Sequence, residues 1–193
     1  LTKMSQKTIF ITGGNRGIGR GLVDRLCNKH RVIFTSRKHI DDVPAGSTCL
    51  IMDVTNDSSI KQATQQLTEP IDILINNAGA AWMTPFDDFP ESGWDKVMNI
   101  NLKSVFFLTQ KLVPFLREQA SADQPAKVIN IASVDGLRPP RLETYSYAAS
   151  KGGLIQLTRR MAKTLVDDHI LVNTIAPGAF ATDMNIHARD QPE

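Results

Sequence analysis

Six short runs of aliphatic residues set the terms for this fold: 8–11, 32–34, 50–52, 71–75, 128–131 and 170–175. Most are nearly continuous in Val, Ile, Leu or Phe, with little alternation with polar residues. That is the pattern of strands covered on both faces in a parallel sheet. Parallel neighbours need crossover connections, so helices must lie between the runs. Residues 17–29 and 57–67 supply two. From Met98, the positions Leu102, Val105, Leu108, Leu112 and Phe115 step by three or four along one helical face, with Pro114 expected to kink the last turn. Leu154, Leu157, Met161 and Leu165 repeat that spacing within a helix at 144–166. Right-handed crossovers then give an α/β fold with a doubly wound parallel sheet in three layers. Only residues 37–49 join the second strand to the third, with Pro44 and Gly46 among them, so at most a turn or two of helix fits there.

Length and composition fit one such unit over 1–193. The 193 residues are 41% hydrophobic, enough for a sizeable core. A formal net charge of +2 argues against a nucleic-acid partner. No run of about 18 apolar residues marks a membrane span. Residues 1–7 are polar and lead at once into a strand, unlike a signal-peptide core. Cys27 and Cys49 lack CxxC spacing and a nearby His that could complete a metal site, so none is expected. Both are read as reduced thiols of a cytoplasmic protein.

The first run leads directly into Thr12, Gly13, Gly14, Asn15, Arg16, Gly17, Ile18 and Gly19, and then into a helix. Backbone N–H groups at a helix start approach a pyrophosphate only where no side chain intervenes, and the helix dipole favours negative charge there. A glycine-rich turn alone is also just a tight turn. Its place after the first strand of an α/β chain makes it a candidate phosphate loop of a Rossmann fold, with all eight residues as cofactor contacts.

The spacing T-G-x-x-x-G-x-G resembles the short-chain dehydrogenase/reductase family of classical type, and the other marks of that family follow. Asp53-Val54 closes the third strand and Asn76-Asn77-Ala78-Gly79 the fourth. Asn101 sits in Asn99-Ile100-Asn101-Leu102, Ser133 ends the fifth strand, Tyr147-Ala-Ala-Ser-Lys151 opens the fifth helix, and Pro177-Gly178 follows the sixth strand. The resemblance spans residues 7 to about 184. It implies an oxidoreductase that interconverts a carbonyl and an alcohol by hydride transfer, nearest in flavour to 3-oxoacyl-thioester reductases. It also implies that Asp53 and Val54 meet the adenine, that Asn77, Ala78 and Gly79 line the middle of the cofactor, and that Pro177, Gly178, Phe180 and Thr182 cradle the nicotinamide. A homodimer or homotetramer is expected from the same resemblance.

Cofactor choice is legible from charge. A site for NAD places an acid about 20 residues after the glycines to hold the ribose hydroxyls, whereas NADP needs a cation for its 2′-phosphate. Here the second strand ends in Thr35-Ser36-Arg37, and Arg16 lies within the glycine loop. Two guanidinium groups suit a phosphate, so NADP(H) is favoured over NAD(H), with Ser36 beside it. The alternative is that both arginines are merely exposed.

Tyr147 and Lys151 are four apart and share a helical face. A phenol of pKa about 10 is a reluctant acid–base catalyst, and an adjacent ammonium stabilises its phenolate. Of the 2 tyrosines, Tyr145 has Ala149 at that spacing, which singles out Tyr147. Ser133 lies at the carboxyl end of a strand, where such sheets hold ligands. The resemblance implies that Ser133 orients the carbonyl, Tyr147 donates the proton, Lys151 also binds the nicotinamide ribose, and Asn101 supports Lys151 through a water. The other readings are a strand-end cap for Ser133 and a backbone-satisfying amide for Asn101. The Gly152-Gly153 pair inside a helix points to close backbone packing.

Only 11 residues follow Thr182, so the last strand and the substrate lid of the family are expected to be largely absent. The competing functional reading is a non-catalytic NADP-binding regulator or scaffold of the same fold.

Overall fold

The computed structural model describes residues 6–178. The aliphatic runs form strands β1 (Thr8–Ile11), β2 (Arg31–Ser36), β3 (Ser47–Ile51), β4 (Ile73–Asn76), β5 (Ala126–Ile131) and β6 (Ile170–Ile175). They pair as one parallel sheet in the order β3-β2-β1-β4-β5-β6. The order reverses between β1 and β4, and the crevice outside the carboxyl ends of such strands is where an open α/β sheet holds a ligand.

Helices α1 (Gly17–Leu26), α2 (Asp57–Thr64), α3 (Glu91–Met98), α4 (Ser104–Arg117) and α5 (Tyr145–Leu165) fill the connections. Successive strand residues point to opposite faces. On one face Phe10, Ile33, Leu50, Leu74, Val128 and Val172 pack against Ile60 of α2, Leu108, Leu112 and Leu116 of α4, and Met161 and Leu165 of α5. Fully burying one such side chain contributes about 2 kcal/mol. On the other face Ile9, Ile11, Val32, Phe34 and Ile75 meet Val23, Leu22 and Leu26 of α1. Among the described residues that second layer is α1 alone, and Leu171 and Ile175 of β6 are exposed. Among the described residues the expectation of strands covered on both faces therefore holds for the centre of the sheet, while at its edges Ile51 of β3 and Leu171 and Ile175 of β6 are exposed.

Residues 37–46 carry no helix, in keeping with the short connection. The helix expected from Met98 is more elaborate. α3 precedes it, and a π turn at Asn99–Lys103 joins α3 to α4. Each i→i+5 bond takes in one residue more than an α turn, which changes the helical phase where it occurs. Within it Asn101 is buried, at 1% exposure. Pro114 does not end α4, which runs on to Arg117. Cys27 falls just after α1 rather than inside it, and both thiols are free and half-buried.

A polar seam crosses the core. Asn76 and Asn130 are register partners on β4 and β5, and Asn76 Nδ2 donates to Asn130 Oδ1 at 2.8 Å and to Thr109 Oγ1 of α4 at 3.1 Å. Asn130 Nδ2 donates in turn to Thr158 Oγ1 of α5 at 2.9 Å. These bonds fix both helices to the central strands, and with them the residues that follow β4 and β5.

Candidate active site

The glycine loop is held by its neighbours as much as by its own turns. Gly13 has φ +67°, a left-handed conformation open to glycine. Its N–H donates to Thr35 Oγ1 at 3.2 Å, and the Gly14 N–H donates to the Thr35 carbonyl at 3.0 Å. Asn77 Nδ2 donates to the carbonyls of Thr12 and Gly13 at 2.9 and 3.0 Å. At Gly19 a Cβ would fall inside the van der Waals shell of the Gly13 carbonyl oxygen. The loop and the start of α1 thus close on each other only with glycine there. α1 begins with no side-chain cap and no acid in its first turn. Its free N–H groups and dipole are therefore left for an anion, and the cradle fits a dinucleotide pyrophosphate.

Because Thr35 ties the loop to the end of β2, Arg16 and Arg37 belong to one edge of the crevice, and both are exposed. Ser36 is buried, and its hydroxyl accepts from the Lys38 N–H at 3.3 Å. Asp53 Oδ1 already accepts from the N–H and hydroxyl of Thr55, at 2.8 and 2.7 Å. Burial alone would raise the pKa of Asp53, but the Thr55 bonds and the Arg37 charge outweigh it and hold the carboxyl below its usual range. Val54 is buried beside it.

Ser133, Tyr147 and Lys151 come together at the carboxyl end of β5. Ser133 caps a short 3-10 turn at Val134–Gly136, its Oγ accepting from the Asp135 N–H at 3.2 Å. The same hydroxyl faces the Tyr147 phenol closely enough to offset part of the rise that burial imposes on its pKa. The cap reading and the site reading of Ser133 are thus compatible. Lys151 is 4% exposed, and its Nζ donates to the Ile131 carbonyl at 2.7 Å while standing 5.6 Å from the centroid of the Tyr147 ring. Burial pushes the ammonium down to about 8.

An ammonium beside the phenol stabilises the phenolate once it forms, which on its own pulls the pKa down. Burial instead raises it, the Ser133 hydroxyl offsets part of that rise, and Asp135 adds to it. Lys151 meanwhile donates to the Ile131 carbonyl and stands over the Tyr147 ring, with no hydrogen bond joining it to the phenol oxygen.

Asn101 grips the residue after Gly79. Its Oδ1 accepts from the Ala80 N–H and its Nδ2 donates to the Ala80 carbonyl, both at 2.9 Å, and Nδ2 donates also to Ser150 Oγ at 3.0 Å. The side-chain amide is therefore engaged with Ala80 and Ser150 and makes no hydrogen bond to Lys151. Gly79 lies close by, since a Cβ there would stand 3.4 Å from Asn101 Oδ1 and 3.8 Å from Lys151 Nζ. The Gly153 prediction of close packing holds, with Leu102 of the π turn 3.0 Å from a Cβ placed there. Asn15 and Ala78 sit on the same loops, Gly17 and Ile18 open α1, and the Ala78 N–H donates to Thr12 Oγ1 at 2.9 Å. Pro177 follows β6, its carbonyl accepting from Val134 N–H at 3.0 Å, and Gly178 is exposed. Phe180 and Thr182 lie outside the described residues. Thr35, Ser150 and the Ile131 carbonyl were not anticipated, and a backbone acceptor leaves no mark in a sequence.

A glycine loop at the sheet's switch point, with a tyrosine and a buried lysine beside it, defines a nucleotide-dependent oxidoreductase of the carbonyl–alcohol class. The family pattern described as short chain dehydrogenase matches residues 7–193, and the chain belongs to that family. It is 37% identical to the rhamnolipids biosynthesis 3-oxoacyl-[acyl-carrier-protein] reductase of Pseudomonas aeruginosa, covering 98% of this chain and 79% of that one. It is 32% identical to the 5-keto-D-gluconate 5-reductase of Escherichia coli K12, covering 95% and 76%. The NADP active-site complex of Pseudomonas aeruginosa RhlG superposes with a TM-score of 0.88 at 37% identity, over 98% of this chain and 79% of that one. Among the described residues no helix is long and apolar enough to cross a membrane, and no group of three His, Cys, Asp or Glu could hold a metal.

Proposed function

We propose that the protein is an NADP(H)-dependent reductase of 3-oxoacyl thioesters or closely related carbonyls, acting as one dinucleotide-binding unit with its catalytic residues built in. The observation that carries the chemistry is the buried Lys151 ammonium standing 5.6 Å from the centre of the Tyr147 ring, with Ser133 at the carboxyl end of β5 beside the pair. Arg16 and Arg37, exposed on one edge of the glycine loop, support the choice of NADP(H). When bound, the nicotinamide supplies or accepts the hydride.

The chain's own residues divide the remaining work. The glycine loop and the uncapped start of α1 would hold the pyrophosphate, Arg16 and Arg37 the 2′-phosphate, and Lys151 the ribose nearest the nicotinamide. Ser133 donates its hydroxyl hydrogen to the substrate carbonyl and orients it. Tyr147, kept protonated by burial, delivers the proton to the developing alkoxide in the reducing direction. Lys151 stabilises the phenolate that forms. The exposed, edge-to-face Phe106 and Phe107 on α4, with ring centroids 5.2 Å apart, support a homo-oligomer, and a cytoplasmic location suits the two free thiols.

The test is NADPH consumption with a panel of simple ketones, aldehydes, sugar ketones and 3-oxoacyl thioesters. Turnover is expected to be highest on the thioesters. Tight NADPH binding with no turnover on any of them would instead favour the non-catalytic regulator.

A further inference from the structure

A series of hydrogen bonds, joined through the backbone from Ala78 to Ala80, runs from the glycine loop to the first turn of α5. Thr12 Oγ1 accepts from the N–H groups of Asn77 and Ala78 at 2.9 Å each. Two residues on, Ala80 is held through both its N–H and its carbonyl by the Asn101 amide. Asn101 Nδ2 then donates to Ser150 Oγ at 3.0 Å, and Ser150 donates its own hydrogen to the Tyr147 carbonyl at 2.7 Å. Asn101 is 1% exposed and Ser150 0%, so water does not compete for these bonds. Among the described residues, the Asn101–Ser150 contact is the only hydrogen bond between the π turn and α5. Packing of Leu102 on Gly153 holds the two together elsewhere, but it lacks the directionality of a hydrogen bond.

We infer that Ser150 is a positioning residue for the reaction: its hydroxyl fixes the Tyr147 turn relative to the Gly79–Ala80 segment and so sets where the phenol stands over the cofactor site. This rests on the reductase reading given above. Ser150 touches neither the phenol oxygen nor Lys151 Nζ by any hydrogen bond, so its effect passes through the backbone of Tyr147. Misplacing a reacting group by a fraction of an ångström to an ångström lowers rate more than binding.

The same helix supplies a matched control. Ser146 is also 0% exposed, and its hydroxyl has no hydrogen-bond partner. Ser150→Ala and Ser146→Ala therefore delete the same atom from equally buried sites of one helix, and only the first breaks the set. For the purified full chain, NADPH affinity and stoichiometry are measured by fluorescence titration, and kcat and KM with the best carbonyl of the panel. Ser150→Ala is expected to lower kcat per NADPH-binding site roughly 10-fold, with KM and NADPH Kd within about twofold of the unsubstituted protein. Ser146→Ala is expected to match the unsubstituted protein in all four quantities. Restoring a hydroxyl with Ser150→Thr is expected to recover most of the lost kcat. A Ser150→Ala protein with unchanged kcat overturns the inference, as does equal loss in both alanine variants. Failure of Ser150→Ala to bind NADPH overturns it too, because the hydroxyl would then serve folding. An unsubstituted protein that turns over none of the carbonyls fails the reductase reading itself, a different result from unchanged turnover in the variant.

Discussion

Replacing Lys151 with Met is expected to stabilise the nucleotide-free protein at neutral pH while removing its activity. Burial lowers the Lys151 ammonium from 10.5 to about 8. One pKa unit corresponds to about 1.4 kcal/mol, so carrying the charge costs the folded state about 3 kcal/mol wherever both states are protonated, which is below about pH 8. Methionine fills much of the same volume without the charge. It also leaves the Ile131 carbonyl without its 2.7 Å donor, a loss of about 1 kcal/mol. The net expectation is a gain of about 2 kcal/mol near pH 7. Between about pH 8 and 10.5 the unfolded chain still holds a proton that the folded one has released, so the unsubstituted protein gains stability as pH rises through that window. The gap between the two proteins should therefore close there. Urea unfolding of both, followed by far-UV circular dichroism at several pH values from about 7 to 10, reads this directly. A Lys151→Met protein less stable than its parent near pH 7, or a difference that stays constant with pH, would refute the desolvation argument.

Two further outcomes follow from the cofactor side. Arg37→Asp removes a guanidinium from the edge of the crevice and sets a carboxylate there, near Asp53. NADPH affinity should fall at least roughly 10-fold while NADH affinity holds or improves, as read by fluorescence titration; an unchanged preference would contradict the role given to Arg37. Gly19→Ala sets a methyl group against the Gly13 carbonyl oxygen and within 2.5 Å of Asn77 Nδ2, neither of which is free to move. Loss of roughly 2 kcal/mol or more of stability, or of NADPH binding, is expected. A variant as stable as its parent with full NADPH affinity would count against the close packing of loop and helix.

The strands were legible because parallel strands buried on both faces need continuous apolar residues, and all six runs became strands within a few residues at each end. The glycine loop was legible because a close backbone approach excludes every other residue, and the Tyr147–Lys151 pair because helical spacing is fixed. α3 was missed as an element, since Ser92, Gly93, Trp94 and Asp95 are all poor helix formers and tertiary packing decides there: Gly93 lies directly against the Trp82 ring. The π turn carries no compositional signal. The direction of the Tyr147 shift is not legible in the sequence, because spacing shows that two groups are near and not how far the phenol is buried. The Ile131 carbonyl, invisible as a backbone group, captured the ammonium.

The central claim is that the phenol of Tyr147 moves the proton while hydride is transferred. Its most direct test is turnover of NADPH with the preferred carbonyl by Tyr147→Phe, which keeps the ring under Lys151 and removes one oxygen. The account predicts NADPH affinity within about twofold of the unsubstituted protein and kcat reduced by a factor of roughly 100 or more. A Tyr147→Phe protein that retains kcat within a few-fold of its parent would contradict it.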